Sequence, residues 1–304
     1  MIRKIEHYTD FILTQEFARK RLEENSITVT WFTNHENTRS IVHSHPYYEA
    51  VLSISGSDVA YSADGDLYQL KQGEIILFPS ELYHAAKYDC SSQFSERIVI
   101  QIDAEFWKTT ARRLGLENAG WNHTVTLFNA HAVKAWDIRG LFERMNLNAA
   151  LDKEYRTAAF ASNLSEFFLI ICQIAKKGNV YTPTATSSLV ERAVQYIQEN
   201  YTDPKLNVAG LMKHTYTSRG HLSRTFKAYT AESIHSYITD LRMQHCCQAI
   251  ADGRSILDAC TESGFSDYSS FLKSFRKLYG MTPVTYRTRL REMNRMADAK
   301  AAPE

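Results

Sequence analysis

Hydrophobic residues recur along this chain with two different periods. From about Ile27 to Ile102 they come in short runs rich in β-branched and aromatic residues, ITVTWFT, YEAVLSIS, EIILF and RIVIQI, parted by turn formers such as Ser55-Gly56-Ser57-Asp58 and Asp64-Gly65-Asp66. Runs this short and closely spaced predict an antiparallel sandwich or barrel. Beyond Asp103 the period becomes helical, and helices are expected around residues 105–114, 133–151 and 154–177. The last carries Leu164, Phe167, Phe168, Ile171 and Ile174 on one face. A stripe this apolar needs cover, either from the barrel core or from a second subunit.

Gly178-Asn179 suits the end of that helix, and Thr182-Pro183-Thr184-Ala185-Thr186-Ser187-Ser188 has the small, polar composition of a linker. A domain boundary is placed here, giving residues 1–182, 183–295 and an Ala-rich tail, 296–304, expected to fray. The second part is almost wholly helical, and it repeats itself. Ser218, Leu222, Phe226, Lys227, Ser233 and Tyr237 are matched by Asp267, Phe271, Phe275, Arg276, Thr282 and Tyr286, each displaced by 49 residues. Each copy opens on a polar N-cap candidate, and its apolar pair four residues apart lies on one helical face. Two helix-turn-helix units follow from this pattern. Between them Ile234, Tyr237, Ile238, Leu241, Ala249 and Ile250 mark one long helix, while Leu206, Val208 and Leu211 give the first supporting helix its apolar face.

Composition sharpens the picture. With 304 residues, 44% of them hydrophobic and 23% charged, the chain is long enough for two domains with separate cores. Five cysteines, odd in number and without paired spacing, argue against a disulfide framework and for a reducing cytoplasm. No apolar run is read as approaching the roughly 20 residues that span a bilayer, and the N-terminus lacks a signal-type apolar core, so secretion and membrane insertion are disfavoured. Residues 1–182 hold 19 Lys+Arg against 22 Asp+Glu, and 183–304 hold 16 against 12, so the halves carry −3 and +4. The positive balance on the second half suits a polyanion.

The second half resembles the AraC-type family of bacterial transcription regulators over residues 189–291. The resemblance rests on Gly264-Phe265-Ser266-Asp267-Tyr268-Ser269-Ser270-Phe271, then Phe275-Arg276-Lys277, then Gly280-Met281-Thr282-Pro283-Val284-Thr285-Tyr286-Arg287. It implies two recognition helices entering successive major grooves on one face of double-stranded DNA, about 34 Å apart. The free faces then nominate Ser218, Gly220, Ser223, Arg224 and Lys227 in the first helix, and Tyr268, Ser269, Ser270, Lys273 and Arg276 in the second. Arg224 and Lys273 match positions from which related proteins reach bases, and such side chains pair well with guanine. Arg242 and Arg287 are expected in structural roles, pairing with helix carboxylates or carbonyls. Two departures from the family pattern stand in the first unit: Met212 where alanine is usual, and Tyr216 where the turn usually has glycine.

The first half contains His43-Ser44-His45-Pro46-Tyr47-Tyr48-Glu49, then Gly73-Glu74-Ile75-Ile76-Leu77-Phe78-Pro79 and His84, and is similar to both motifs of cupin barrels. In metal-binding cupins the residues matching His43, His45, Glu49 and His84 converge inside the barrel, and three imidazoles with one carboxylate suit a divalent transition metal. Glu81 stands where cupin enzymes often carry glycine. The residues leave two readings open, a metal centre or a metal-free ligand pocket, and no cofactor is required by the sequence. Trp31 and Tyr47 join the same four residues as candidate ligand contacts; Tyr48, Tyr61, Tyr68, Phe78 and Tyr83 add further aromatics.

The expected architecture is therefore α+β and two-domain: an N-terminal cupin-like antiparallel β-barrel with following helices, then an all-α domain with two helix-turn-helix motifs. The function expected is a cytoplasmic, non-enzymatic DNA-binding regulator under the control of a small ligand such as a sugar. A homodimer formed through the N-terminal domain is expected, with RNA polymerase as a further partner and no membrane. A metal-dependent cupin enzyme or metal sensor fused to a DNA-binding domain is the alternative.

Overall fold

The computed structural model describes residues 4–5, 22, 25–35, 38–40, 42–63, 65–90, 94–178, 180–181, 188–230 and 232–301. Two compact units are present, one built from residues up to 184 and one chiefly from residues 185–304. Of the expected linker at 182–188, residues 182–187 lie outside the described residues and Ser188 opens a helix.

The first unit holds strands β1 (Lys4–Ile5), β2 (Ile27–Asn34), β3 (Thr38–Arg39), β4 (Tyr47–Gly56), β5 (Val59–Ala63), β6 (Asp66–Leu70), β7 (Ile75–Phe78), β8 (His84–Tyr88), β9 (Ser95–Asp103), β10 (Thr126–Phe128) and β11 (Val180–Tyr181). They form a large sheet, β1-β2-β9-β4-β7-β10-β11, and a small one, β3-β8-β5-β6. The long central ladders of the large sheet, β2–β9–β4–β7, are antiparallel. Side chains alternate across each strand, and here both faces are buried. Ile98, Ile100 and Ile102 of β9 join Tyr48, Ala50, Leu52, Ile75 and Leu77 in a core shared with helices α1 (Ala104–Arg113), α3 (Ile138–Asn148) and α4 (Lys153–Lys176). Val99 on the other face joins Phe32, Val51, Tyr61, Ile76 and Phe78 in a second core that includes residues of the small sheet. Burial on both faces explains why EIILF and RIVIQI read as nearly unbroken apolar runs.

The stripe on α4 faces this chain's own core. Leu164, Phe167, Phe168, Ile171 and Ile174 are buried there, and Phe168 meets the Trp107 ring edge-on at 4.5 Å. A partner subunit therefore cannot use it, which corrects the dimer reading of that stripe. By length and composition α4 is also apolar enough to cross a membrane, contrary to the expectation from sequence; packing against the sheet accounts for that apolarity. The single helix expected at 133–151 is two, α2 (Ala130–Ala135) and α3. Asp137 breaks them with a left-handed φ of 46°, and its carboxylate accepts from Gly140 N at 3.3 Å to cap α3. Gly178, at φ 71°, follows the end of α4 as expected.

The second unit comprises α5 (Ser188–Asn200), α6 (Val208–Thr215), α7 (Arg219–Thr230), α8 (Ile234–Ala251), α9 (Ile256–Glu262), α10 (Tyr268–Tyr279) and α11 (Pro283–Ala301). The pairs α6–α7 and α9–α10 are the two helix-turn-helix motifs. Their recognition helices keep the 49-residue spacing, but their supporting helices are 48 apart. N-caps Asn207 and Ser255 accept from Gly210 N and Asp258 N, buried Leu211 matches Ala259, and the Thr215 and Ser263 hydroxyls donate to the carbonyls of Leu211 and Ala259. The first turn is thus one residue shorter. Leu206 precedes α6 instead of lying in it. Pro283 begins α11 as expected, but that helix runs to Ala301, so residues 296–301 are helical where a tail was expected; 302–304 lie outside the described residues.

Candidate functional site

Helical periodicity sorts α7 and α10 into two faces. Leu222, Phe226 and Thr230 are buried in one, Phe271, Phe275 and Tyr279 in the other. Ring contacts lock the second set, with Phe275 4.5 Å from Tyr279 and 5.7 Å from Tyr286. All ten nominated residues, Ser218, Gly220, Ser223, Arg224, Lys227, Tyr268, Ser269, Ser270, Lys273 and Arg276, are exposed. Their availability differs. The Asp267 carboxylate caps α10 by accepting from Ser270 N at 2.7 Å and Ser269 N at 3.3 Å, and bonds with Ser270 hold its carboxyl below the usual range. Ser270 is thereby tied to the cap, and Tyr268 leans on Phe271 at 5.7 Å, while the exposed Lys273 and Arg276 carry positive charge on that face. In α7 the cap is longer, Ser218 Oγ accepting from His221 N at 3.4 Å.

One arrangement here escaped the sequence reading. The Arg242 guanidinium, on α8, donates to Tyr201 O at 2.7 Å and Asp203 O at 2.8 Å, pinning the chain that leaves α5. Burial holds its pKa below the usual arginine value. The pinned segment fits against the second turn, where a Cβ on Gly264 would come within 2.6 Å of Thr202 O. His245 Nδ1 lies 2.9 Å from Ser263 Oγ beside it. The carbonyl-pairing role expected of Arg242 is thus seen, but its partners come from a loop 39–41 residues away that no periodicity marks.

In the first unit, Thr28, Gln101, Glu49 and Phe78 stand directly opposite one another across β2, β9, β4 and β7. His45 precedes β4 and His84 opens β8. Their Nε2 atoms lie 3.6 Å from Glu49 Oε2 and 3.8 Å from Glu49 Oε1. Nδ1 of His45 is 2.9 Å from Tyr47 O, and Nδ1 of His84 is 3.0 Å from Leu82 O. A carbonyl only accepts, so each Nδ1 donates to it and each Nε2 points toward the carboxylate. Ligand nitrogens of His43, His45 and His84 all lie within 4.8 Å of one another. Tyr47 stacks on His45 at 3.8 Å and Phe78 on His84 at 4.3 Å, fixing both rings. Burial lowers the His45 pKa to about 4, against an opposing pull from Glu49, so the imidazole is neutral. Three ring nitrogens this close together, with a carboxylate beside two of the rings, fit a divalent transition metal.

Two aromatics expected near this cluster are elsewhere. Trp31 lies on the opposite face of β2, packs against the helical core, and donates to Glu96 Oε1 at 2.8 Å. Period-two alternation sends it away from Thr28, which corrects its assignment as a ligand contact. Tyr48, for the same reason, stacks on Trp107 at 4.2 Å. Glu81 adopts φ 65°, the left-handed backbone that glycine takes most easily, and its N–H donates to His45 O at 2.8 Å. Gln101 and Thr28 were missed; the available signal was period-two alternation, which puts them on the same strand faces as the buried Val99 and Phe32.

Residues 211–289 match the family model described as a helix-turn-helix domain. The regulatory protein PocR of Salmonella typhimurium is 30% identical over 111 residues, which cover 36% of this chain and 36% of PocR. The chain thus spans about a third of the length of that relative. The arabinose operon regulatory protein of Escherichia coli is 23% identical over 239 residues, 78% of each chain. The crystal structure of ToxT from Vibrio cholerae covers 87% of this chain and 98% of its own at 17% identity, with a TM-score of 0.38. The matched model and the two motifs together identify residues 211–289 as a helix-turn-helix domain.

Proposed function

We propose that this protein is a cytoplasmic, sequence-specific transcription regulator in which a small molecule held by the N-terminal barrel alters how the helical unit engages double-stranded DNA. The observation that carries this reading is the pair of recognition helices whose exposed faces bear Arg224, Lys227, Lys273 and Arg276 in one repeated frame. Linkage requires the effector to bind the two DNA-binding states unequally. A small polar ligand, a sugar among them, suits an interior where Tyr47 and Phe78 flank hydrogen-bonding groups. The domains are read as 1–182 and 183–295. Dimerisation is assigned to the N-terminal unit through a surface other than the buried α4 stripe, and RNA polymerase is a further partner.

Genome-wide occupancy of the tagged protein tests the proposal. Discrete sites carrying two half-sites one helical turn apart are expected; uniform, sequence-independent recovery overturns it.

A second reading is favoured by one observation, the clustering of three imidazole nitrogens within 4.8 Å of one another, two of the rings lying beside Glu49. Here the barrel senses a divalent transition metal held by His43, His45, His84 and Glu49. The ion would supply charge that fixes this end of the barrel and an open position for a ligand oxygen. Elemental analysis of the purified chain decides: about one equivalent of metal, lost in His45→Ala, supports this reading, and its absence leaves a metal-free pocket.

A further inference from the structure

The inward row across the large sheet is bonded in one direction. The Thr28 hydroxyl donates to Gln101 Oε1 at 3.1 Å, and the Glu49 carboxylate on the other side of the amide only accepts, which settles which end is nitrogen. Nε2 therefore faces Glu49 and donates to Oε2 at 3.1 Å, with the Tyr47 hydroxyl 3.3 Å away as its other acceptor. Both amide hydrogens have an acceptor, and Tyr47 is the residue stacked on His45. Thr28, Gln101 and Glu49 are buried, on three adjacent strands in direct register, so the amide has little freedom to turn away.

An amide N–H on Oε2 occupies one lone pair of that oxygen and fixes the plane of the carboxylate. Held in that plane, the carboxylate sets Oε2 3.6 Å from His45 Nε2 and Oε1 3.8 Å from His84 Nε2. We infer that Gln101 is a positioning residue that holds the Glu49 carboxylate toward a divalent transition metal bound with His43, His45 and His84, and that Thr28 in turn orients Gln101. This rests on the metal reading above. Partners of this kind set the orientation of a metal's ligands, and their loss commonly weakens binding about 10- to 100-fold.

Cobalt(II) titration of the full chain tests it, with affinity read by competition against a chromophoric chelator and ligand geometry read from the visible spectrum. Gln101→Met keeps the volume and removes both donors; Thr28→Val keeps the shape and removes one. Gln101→Met is expected to weaken cobalt binding about 10- to 100-fold and to change the visible bands as Glu49 turns. Thr28→Val is expected to act in the same sense and less strongly. A merely structural role would lower the melting temperature and leave the bands of the bound ion unaltered. Should Gln101→Met fail to fold, Thr28→Val carries the test. Wild-type affinity and spectrum in the folded variants would overturn the positioning role and leave the metal site standing. A wild-type chain that takes up no cobalt would overturn the site and this inference together.

Discussion

Tyr216 and Gly264 hold the same left-handed backbone position, 48 residues apart, each just after the supporting helix of its motif, at φ 53° and φ 85°. Their surroundings are opposite. Tyr216 is 94% exposed, whereas Gly264 is pressed on the carbonyls of Tyr201 and Thr202. Glycine is needed at 264 for space as well as for φ, while at 216 only φ favours it. Gly264→Ala is expected to destabilise the protein by about 2 kcal/mol or more, and Tyr216→Gly to leave stability within about 1 kcal/mol of wild type. Chemical denaturation of both variants measures the difference; equal effects would contradict it.

Arg224 and Lys273 stand on the exposed faces of α7 and α10. Alanine at either is expected to lower affinity for a genomic operator by about 1 to 3 kcal/mol without a change in melting temperature, and to relax preference at the base pair each reads. Mobility shifts on the operator and its single-base variants provide the check. A uniform loss across all sequences would reassign the residue to phosphate contact.

Arg242 ties the segment after α5 to α8 through two carbonyl bonds. Its removal in Arg242→Ala is expected to cost about 1.5 to 3 kcal/mol of stability. Lysine cannot reproduce the planar fork, so Arg242→Lys should recover little of that. Thermal unfolding of the two variants beside wild type tests this, and full recovery by lysine would show that charge alone matters.

Asp267 gives the C-terminal unit a dependence on acid. Its folded pKa lies below the usual aspartate value of 3.8, chiefly through the bonds with Ser270. The unfolded chain therefore binds this proton more readily, and the stabilisation is complete above 3.8 and lost as pH falls through the lower folded value. Asp267→Asn keeps an acceptor for the helix amides and removes the titration. Melting temperatures of the two proteins should differ at neutral pH and converge as the pH drops below that range; a constant gap would assign the effect to shape alone.

The helical unit was legible because its signals are local. Phe271 and Phe275 lie one turn apart, Asp267 caps the helix they sit on, and each can be recognised within a dozen residues. The 48-residue offset of the supporting helices stayed hidden, because Leu211 and Ala259 share no conspicuous chemistry. In the first half, His43, His45, Glu49 and His84 were named from sequence; the three histidines cluster, and Glu49 lies beside His45 and His84. Strand β6 was not found, since it buries Asp66 with Tyr68 and Leu70, a polar group where alternation calls for an apolar one. Gln101 was overlooked for the same reason: its meaning lies in cross-strand neighbours 52 and 73 residues away.

Strand β9 serves two interiors at once, turning Gln101 and Val99 toward one and Ile100 and Ile102 toward the other. Inserting or deleting a single residue midway along it would trade the contents of both, putting isoleucines against Glu49 and an amide among the helices. Descendants of this chain are thus free to vary the letters of β9 one at a time, but its length is closed to them. Tolerance to indels should fall there far below that of the turns at either end, as a deletion scan of the whole gene would record.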